Sequence, residues 1–353
     1  MIEHFDAIRF RKQLISWYKK HKRNLPWRDT TDFYKIWISE IILQQTQVAQ
    51  GHDYYLRFLK QFPNVNVLAS ASEQEVLNAW QGLGYYTRAI NLHKAAKQII
   101  SDFNGEFPTT YDEILSLKGV GSYTASAIAS FTYRLPYAVV DGNVLRVLSR
   151  LFDDKTPINS AFGKKHFEHL ATELLDHTQP DVYNQAIMEF GALQCRPQNP
   201  DCKQCVLINQ CEAYRNKTVG ERPKKETKKT STVRYFTYFV IKTPQGYVLQ
   251  QRDSRSIFKN MYEFPLVETM KKISKEKTIA LFEKNYPTLK NINISTISRY
   301  QKHVLSHIII YYRYAFVEQN VLPKDEMFSI VSKKMSAHYP LHRIIEKILE
   351  KLD

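Results

Sequence analysis

Cysteine is scarce in this chain of 353 residues: there are four, all between positions 195 and 211. A secreted fold stapled by disulfides spreads its cysteines through the sequence, so this crowding excludes such a framework and points to a metal centre in a reducing compartment. Long apolar runs are also missing, and none reaches the roughly 20 residues of a membrane span. The opening stretch MIEHFDAIRFRK has no apolar segment ending in a small-residue cleavage site, and its acids argue against a transit peptide. The protein is therefore expected to stay where it is made, in the cytoplasm. No internal repeat is visible. Acids are absent between Asp6 and Asp29, where eight cations occur (Arg9, Arg11, Lys12, Lys19, Lys20, Lys22, Arg23 and Arg28) with Trp17, Tyr18 and Trp27 among them. A second basic cluster runs from Arg215 to Arg234, and the whole chain carries a formal charge of +15. Charge of one sign gathered in stripes suits a phosphate backbone, so the expected partner is nucleic acid and not a membrane.

The length suits two domains, each with its own core. Residues 1–216 read as all-helical: apolar residues recur at three- and four-residue spacing in Phe10–Leu14–Trp17, Ile36 to Val48, Val76 to Trp80 and Leu145 to Leu151. Residues 217–232 contain almost no apolar side chain and read as an exposed basic linker. Beyond it, 233–353, the texture becomes α+β. Val233 to Lys242, Tyr247 to Arg252 and Ser306 to Val317 are aromatic and β-branched, with turn signals at Pro244-Gln245-Gly246, and helices fit Ser274–Asn285 and Leu341–Leu352.

Cys195, Cys202, Cys205 and Cys211 form a C-x6-C-x2-C-x5-C pattern. Four thiolates this close can wrap one cofactor, and the spacing admits tetrahedral zinc or a [4Fe–4S] cube. Its expected role is to pin a DNA-contacting loop, apart from bond cleavage. In Leu117-Lys118-Gly119-Val120-Gly121-Ser122-Tyr123-Thr124-Ala125, Gly119 and Gly121 allow a tight turn into a helix whose free N–H groups can hold a phosphate. An ordinary helix–turn–helix corner is the plainer alternative.

Two carboxylates stand in contrasting contexts. Glu40 shares a helical face with Ile36, Trp37 and Leu43; burial there raises a carboxyl's pKa, as a general acid requires, although a glutamate at the rim of a core helix fits the same spacing. Asp141 precedes a helix at Gly142-Asn143-Val144, where N–H groups and the macrodipole stabilise an anion and should depress its pKa; a plain helix cap reads alike. Carboxyls pushed apart in pKa are what glycosidic cleavage through an oxocarbenium-like state needs.

Several motifs together resemble one family over nearly the whole chain. They are Leu25-Pro26-Trp27-Arg28, Trp37 to Val48, Gly82-Leu83-Gly84-Tyr85-Tyr86, the Gly119–Ala125 hairpin, Val140 to Arg146, and the four-cysteine loop after Glu189-Phe190-Gly191-Ala192. The family is the iron–sulfur helix-hairpin-helix DNA glycosylases, and within it the adenine-excising MutY type. The resemblance implies a monofunctional glycosylase of base excision repair, acting as a monomer on double-stranded DNA, associated with the nucleoid in a bacterium. It would flip out adenine mispaired with 8-oxoguanine or guanine and leave an abasic site. Glu40 would protonate the base. Asp141 would stabilise the sugar cation, Asn143 would orient the site, and Tyr123 would hydrogen-bond beside both carboxyls. Gln45 and Tyr85 would wedge into the stack, Thr46 would bind DNA beside them, Gly119 and Gly121 would hold the backbone, and the four cysteines would bind one [4Fe–4S] cluster. Relatives with lysine at position 123 form a Schiff base and cut the strand, which tyrosine cannot do. The second domain resembles a NUDIX-like module through Tyr247 to Arg252 and Tyr262-Glu263-Phe264-Pro265, yet residues 266–286 lack the R-E-x-x-E-E helix of a hydrolase. Ser306 and His307 would read the oxidised guanine, while Leu305 occupies a place where the family has a phenylalanine.

Overall fold

The structure, a computed structural model, describes residues 5–227, 231–253, 257–289, 293–305, 308–318, 327–332 and 339–352; Ser306 and His307 lie outside the described residues. The first part is helical throughout: α1 Ala7–His21, α2 Phe33–Leu43, α3 Val48–Gln61, α4 Val65–Ser70, α5 Glu73–Ala79, α6 Thr87–Asp102, α7 Tyr111–Ser116, α8 Ser122–Tyr133, α9 Gly142–Leu151, α10 Ala161–Leu174, α11 Pro180–Leu193 and the single turn α12 Glu212–Arg215. Polar caps set many of the starts, among them Asp6, Asp32, Asp141 and Ser160, with reciprocal capping boxes at Ser72/Glu75 and Thr110/Glu113. The Phe10–Leu14–Trp17 stripe of α1 is buried against Val147, Leu148 and Leu151 of α9 and Tyr183, Ile187 and Phe190 of α11. The apolar stretch from Ile36 to Val48 is not one helix. It breaks after Leu43, where Gln45 takes a left-handed φ of 57°, and α3 begins at Val48.

The second part contains β1 Thr232–Thr243, β2 Gly246–Gln251, β3 Tyr262–Glu263, β4 Leu266–Thr269, α13 Lys275–Asn285, β5 Asn293–Ile297, β6 Gln301–Val304, β7 Ile308–Glu318, β8 Phe328–Val331 and α14 Arg343–Leu349. They form one mixed sheet with the path β3-β2-β1-β7-β5, to which β4, β6 and β8 add by pairing with β1, β7 and β2. β1 and β7 run parallel from Thr232↔Ile308 to Lys242↔Glu318, and the other pairings are antiparallel. Side chains alternate between the two faces of β1. Phe236, Tyr238 and Val240 pack with Ile344, Ile345 and Ile348 of α14, whereas Phe239 and Ile241 pack with Phe282 and Tyr286 of the α13 side. Both faces are covered, which is why β1 is buried almost continuously.

Packing divides the chain into two units: Met1–Ser70 with Asn91–Thr227, and Ala71–Ile90 with Lys228–Asp353. Helix α5 and the turn after it join the sheet through hydrogen bonds from Asn260 Nδ2 to Glu73 Oε1 (2.6 Å), Gln81 Nε2 to Glu346 Oε1 (2.9 Å) and the Tyr86 hydroxyl to Leu341 O (3.3 Å). The stretch read as an exposed linker is, up to Thr227, tied into the helical unit. The Arg222 side chain is fully buried on Asp153 (2.8 Å), and Ile158 N donates to Lys224 O. Among the described residues, no helix is long and apolar enough to cross a membrane.

Candidate active site

Helix α2 is buried on nearly every side from Phe33 to Ile42, so Glu40, with 7% of its surface exposed, is enclosed by its helix's central position and not by one apolar face alone. That burial pushes its carboxyl up to about 7 from an ordinary 4.5. A hydrogen bond from the Tyr123 hydroxyl and the charge of Arg28 pull it down, while the negative charge of Asp141 pushes it up. Tyr123 lies in the first turn of α8, and its own pKa is raised well above 10 by burial and by the two carboxyls, so it remains a neutral donor.

Asp141 caps α9. Its Oδ1 accepts from Asn143 N and Val144 N, both at 2.8 Å, and its Oδ2 accepts from Asn143 Nδ2 at 2.6 Å. The expectation that these donors would depress its pKa is not met. Burial outweighs the hydrogen bonds and the nearby Arg146, and the carboxyl is raised above 3.8. Both carboxyls are therefore raised by burial, and they differ in their donors: Glu40 has a single hydroxyl where Asp141 has three N–H groups. Asn143 is itself held in place: Arg146 Nη2 donates to its Oδ1 (2.8 Å) and to Gly191 O (2.6 Å), while Arg146 Nε donates to Cys195 O (2.7 Å).

Glu40, Tyr123, Asp141 and Asn143 line one cavity of about 460 Å3, together with Gln45 and Thr46. This volume falls in the range of roughly 300–1,000 Å3 for ligand clefts. Its other wall is formed by residues that the sequence reading assigns to no site. The buried Glu189 accepts from Arg23 N (2.9 Å), Arg23 Nε (2.9 Å), Arg23 Nη2 (2.6 Å) and Arg28 Nη2 (2.7 Å). Burial alone would raise Glu189, but the hydrogen bonds from Arg28 and Arg23 bring it to about 2, so it is a permanent anion. Arg23 and Arg28 are therefore part of the pocket, and Arg11 is bound to the carbonyls of Leu174 and Glu173. Of the N-terminal stripe, Arg9, Lys12, Lys19 and Lys20 face solvent, while Trp17, Tyr18 and Trp27 belong to the core.

The hairpin α7–α8 turns at Gly119, whose φ is 79° and where a Cβ would stand 2.5 Å from Asn91 Cβ; only glycine fits. Gly121 differs. It caps α8 with φ −101°, and a Cβ there would meet nothing within 4 Å, so the turn does not require glycine and the space before the helix start is open. Tyr85 is 48% exposed and, like the exposed Gln45, sits at positive φ (48°). A non-glycine in that region is held by its surroundings.

The four cysteines are half-buried, unpaired, and line one cavity with Val147, Leu151, Phe190 and Leu207. Burial pushes the Cys205 thiol up to about 12 and Cys211 up to about 11, and repulsion among the thiolates adds to this. Four such anions can coexist only around positive charge. N–H donors already face the sulfurs: Arg150 Nη1 to Cys195 Sγ and Leu207 N to Cys205 Sγ, both 3.4 Å. Among the described residues, no group of three or more His, Cys, Asp or Glu side chains is placed to hold a single metal ion.

A helical hairpin beside a cavity with a paired acid and carboxylate puts the chain in the helix-hairpin-helix class, and residues 38–172 match the model of the HhH-GPD superfamily base excision DNA repair proteins. It is 37% identical over 308 residues to the adenine DNA glycosylase of Buchnera aphidicola subsp. Baizongia pistaciae, covering 86% of this chain and 84% of that one. With the adenine DNA glycosylase of Buchnera aphidicola subsp. Acyrthosiphon pisum the identity is 31% over 354 residues, 97% of each chain. A solved thermostable thymine-DNA glycosylase superposes with TM-score 0.57 and 27% identity, covering 61% of this chain and all of that one. The chain belongs to the adenine DNA glycosylase family.

Proposed function

We propose that this protein excises adenine mispaired with 8-oxoguanine or guanine from double-stranded DNA, acting as a monomer and leaving an abasic site. The observation that carries this reading is the shared cavity: Glu40, whose carboxyl burial raises to about 7, lines it together with Asp141, whose oxygens accept from three N–H donors. Glu40 gives its proton to a ring nitrogen of the extruded base, which leaves as a neutral group. Asp141, fixed by Asn143 and through it by Arg146, faces the positive charge that develops on the sugar and steers water to it. Tyr123 donates to Glu40 and keeps it oriented. It has no amine with which to form a Schiff base, so the strand is left intact.

Gly119 and Gly121 give the phosphate backbone access to the start of α8, Gln45 and Tyr85 fill the stack that the base vacates, and Thr46 binds DNA beside them. The α+β unit is read as a NUDIX-like module in which Ser306 and His307 recognise the oxidised guanine. Cys195, Cys202, Cys205 and Cys211 fit a [4Fe–4S] cluster: an all-sulfur donor set spread around one cavity, with N–H groups turned to the sulfurs. When bound, the cluster supplies positive charge that holds the loop 195–211 in shape. The test is a duplex with adenine opposite 8-oxoguanine, incubated with protein and then heated in alkali. Alkali-dependent cleavage at the adenine is expected; an intact strand, or cleavage elsewhere, would reject the reading.

A further inference from the structure

The turn bearing Tyr85 is built in an unusual way. Gly82, Gly84 and Tyr85 all have positive φ (91°, 72° and 48°), and a tyrosine there is strained unless its neighbours impose the shape. Local neighbours do part of this. Trp80 Nε1 donates to Gly84 O (3.2 Å), and Arg88 Nη2 donates to Leu83 O and Gly84 O (3.3 and 3.1 Å). The Arg88 guanidinium also lies 5.2 Å from the Trp80 ring and 5.7 Å from the Tyr85 ring. Further anchors come from the far end of the chain. The Tyr86 hydroxyl accepts from Gly82 N (3.3 Å) and donates to Leu341 O (3.3 Å), and Gln81 Nε2 donates to Glu346 Oε1 in α14 (2.9 Å). Helix α14 also borders β6, the strand just before positions 306 and 307: Lys351 Nζ donates to Gln301 Oε1 (3.0 Å), and His303 feels the charges of Lys347 and Arg343.

We propose that Gln81 and Tyr86 are positioning residues through which α14 sets the Tyr85 wedge, so that reading of the oxidised guanine and extrusion of adenine share one support. This rests on the proposed activity and on Tyr85 entering the base stack. An exposed ring on a locked backbone is what a wedge needs, and here the lock belongs to the sheet-bearing unit.

Single-turnover excision from A·8-oxoG and A·G duplexes tests it, with Tyr85→Ser, Gln81→Met/Tyr86→Phe and the triple variant beside the natural protein. Loss of these three hydrogen bonds should slow Gln81→Met/Tyr86→Phe on the order of tenfold on A·8-oxoG, and less on A·G. The triple variant should be no slower than Tyr85→Ser, because both changes disable the same wedge. Glu346→Gln keeps the acceptor oxygen and should stay near the natural rate, whereas Glu346→Met should share the loss. Losses that multiply in the triple variant, or an undiminished Gln81→Met/Tyr86→Phe, would overturn the inference while leaving the activity standing. A natural protein that excises nothing would instead overturn the activity, and Tyr85→Ser at full rate the wedge; either would take the inference with it.

Discussion

Replacing Glu40 with glutamine keeps the side chain's shape and an oxygen facing Tyr123, but removes the proton whose binding distinguishes folded from unfolded chain. The gap between about 7 and 4.5, at ~1.4 kcal/mol per pH unit, corresponds to roughly 3 kcal/mol. Glu40 is buried, so little of this is screened by solvent. Its pKa is raised on folding, which means that the folded protein retains a proton the unfolded chain has released. Stability therefore falls as pH climbs from the unfolded value of 4.5 and levels off above about 7. Glu40→Gln has no such dependence. Urea unfolding, followed by tryptophan fluorescence, should find the two proteins alike below about pH 4.5 and the variant more stable by roughly 3 kcal/mol near pH 8. The same stability difference at both pH values would contradict a buried charge at position 40, since glutamine would then be improving packing.

Asp141→Asn keeps oxygen and amide for the cap of α9, so the variant should fold and bind mispaired duplex normally. It should lose at least about a hundredfold in single-turnover excision, and an unchanged rate would show that Asp141 is only a cap. Gly119→Ala must move Asn91 and strain the turn, destabilising the protein by about 1–3 kcal/mol in denaturant unfolding. Gly121→Ala, with open space around it, should unfold like the natural protein and weaken only duplex affinity. Purified protein should carry iron at four atoms per chain with a broad blue absorbance, and removal of that iron should loosen residues 195–215 and abolish duplex binding; stoichiometric zinc would contradict the cluster assignment.

What the sequence discloses here is what depends on near neighbours. Asp141 as a cap follows from a short polar side chain beside a helix start, the four cysteines from spacing, and the Gly119 turn from a residue that tolerates positive φ. Strands β1, β2 and β7 announce themselves as aromatic and β-branched runs, and α13 by Ser274 before it. Short strands such as β3 and β8 do not, because two to four residues carry no usable period. Environments set by distant residues were also hidden. The rise of Asp141 depends on the tertiary burial of α9's start, which no local pattern reports. Arg23 and Arg28 looked like exposed cations for phosphate, and their partner Glu189 lies 166 and 161 positions away. The hint available was an acid between Ile187 and Phe190 on a helix, a place where a carboxylate needs cationic partners. Segment 71–90 likewise reads as one more piece of a helical domain, whereas its hydrogen bonds to Asn260, Leu341 and Glu346 tie it to the sheet-bearing unit.

Carbon-13 NMR titration of the side-chain carboxyls, with Glu40→Gln and Asp141→Asn spectra to assign the two resonances, reaches the protonation states themselves. Glu40 should titrate near 7, so that around neutrality the cavity holds a proton donor beside Asp141. A Glu40 resonance that titrates near 4.5, as a solvated glutamate does, would contradict this and leave the site without its acid.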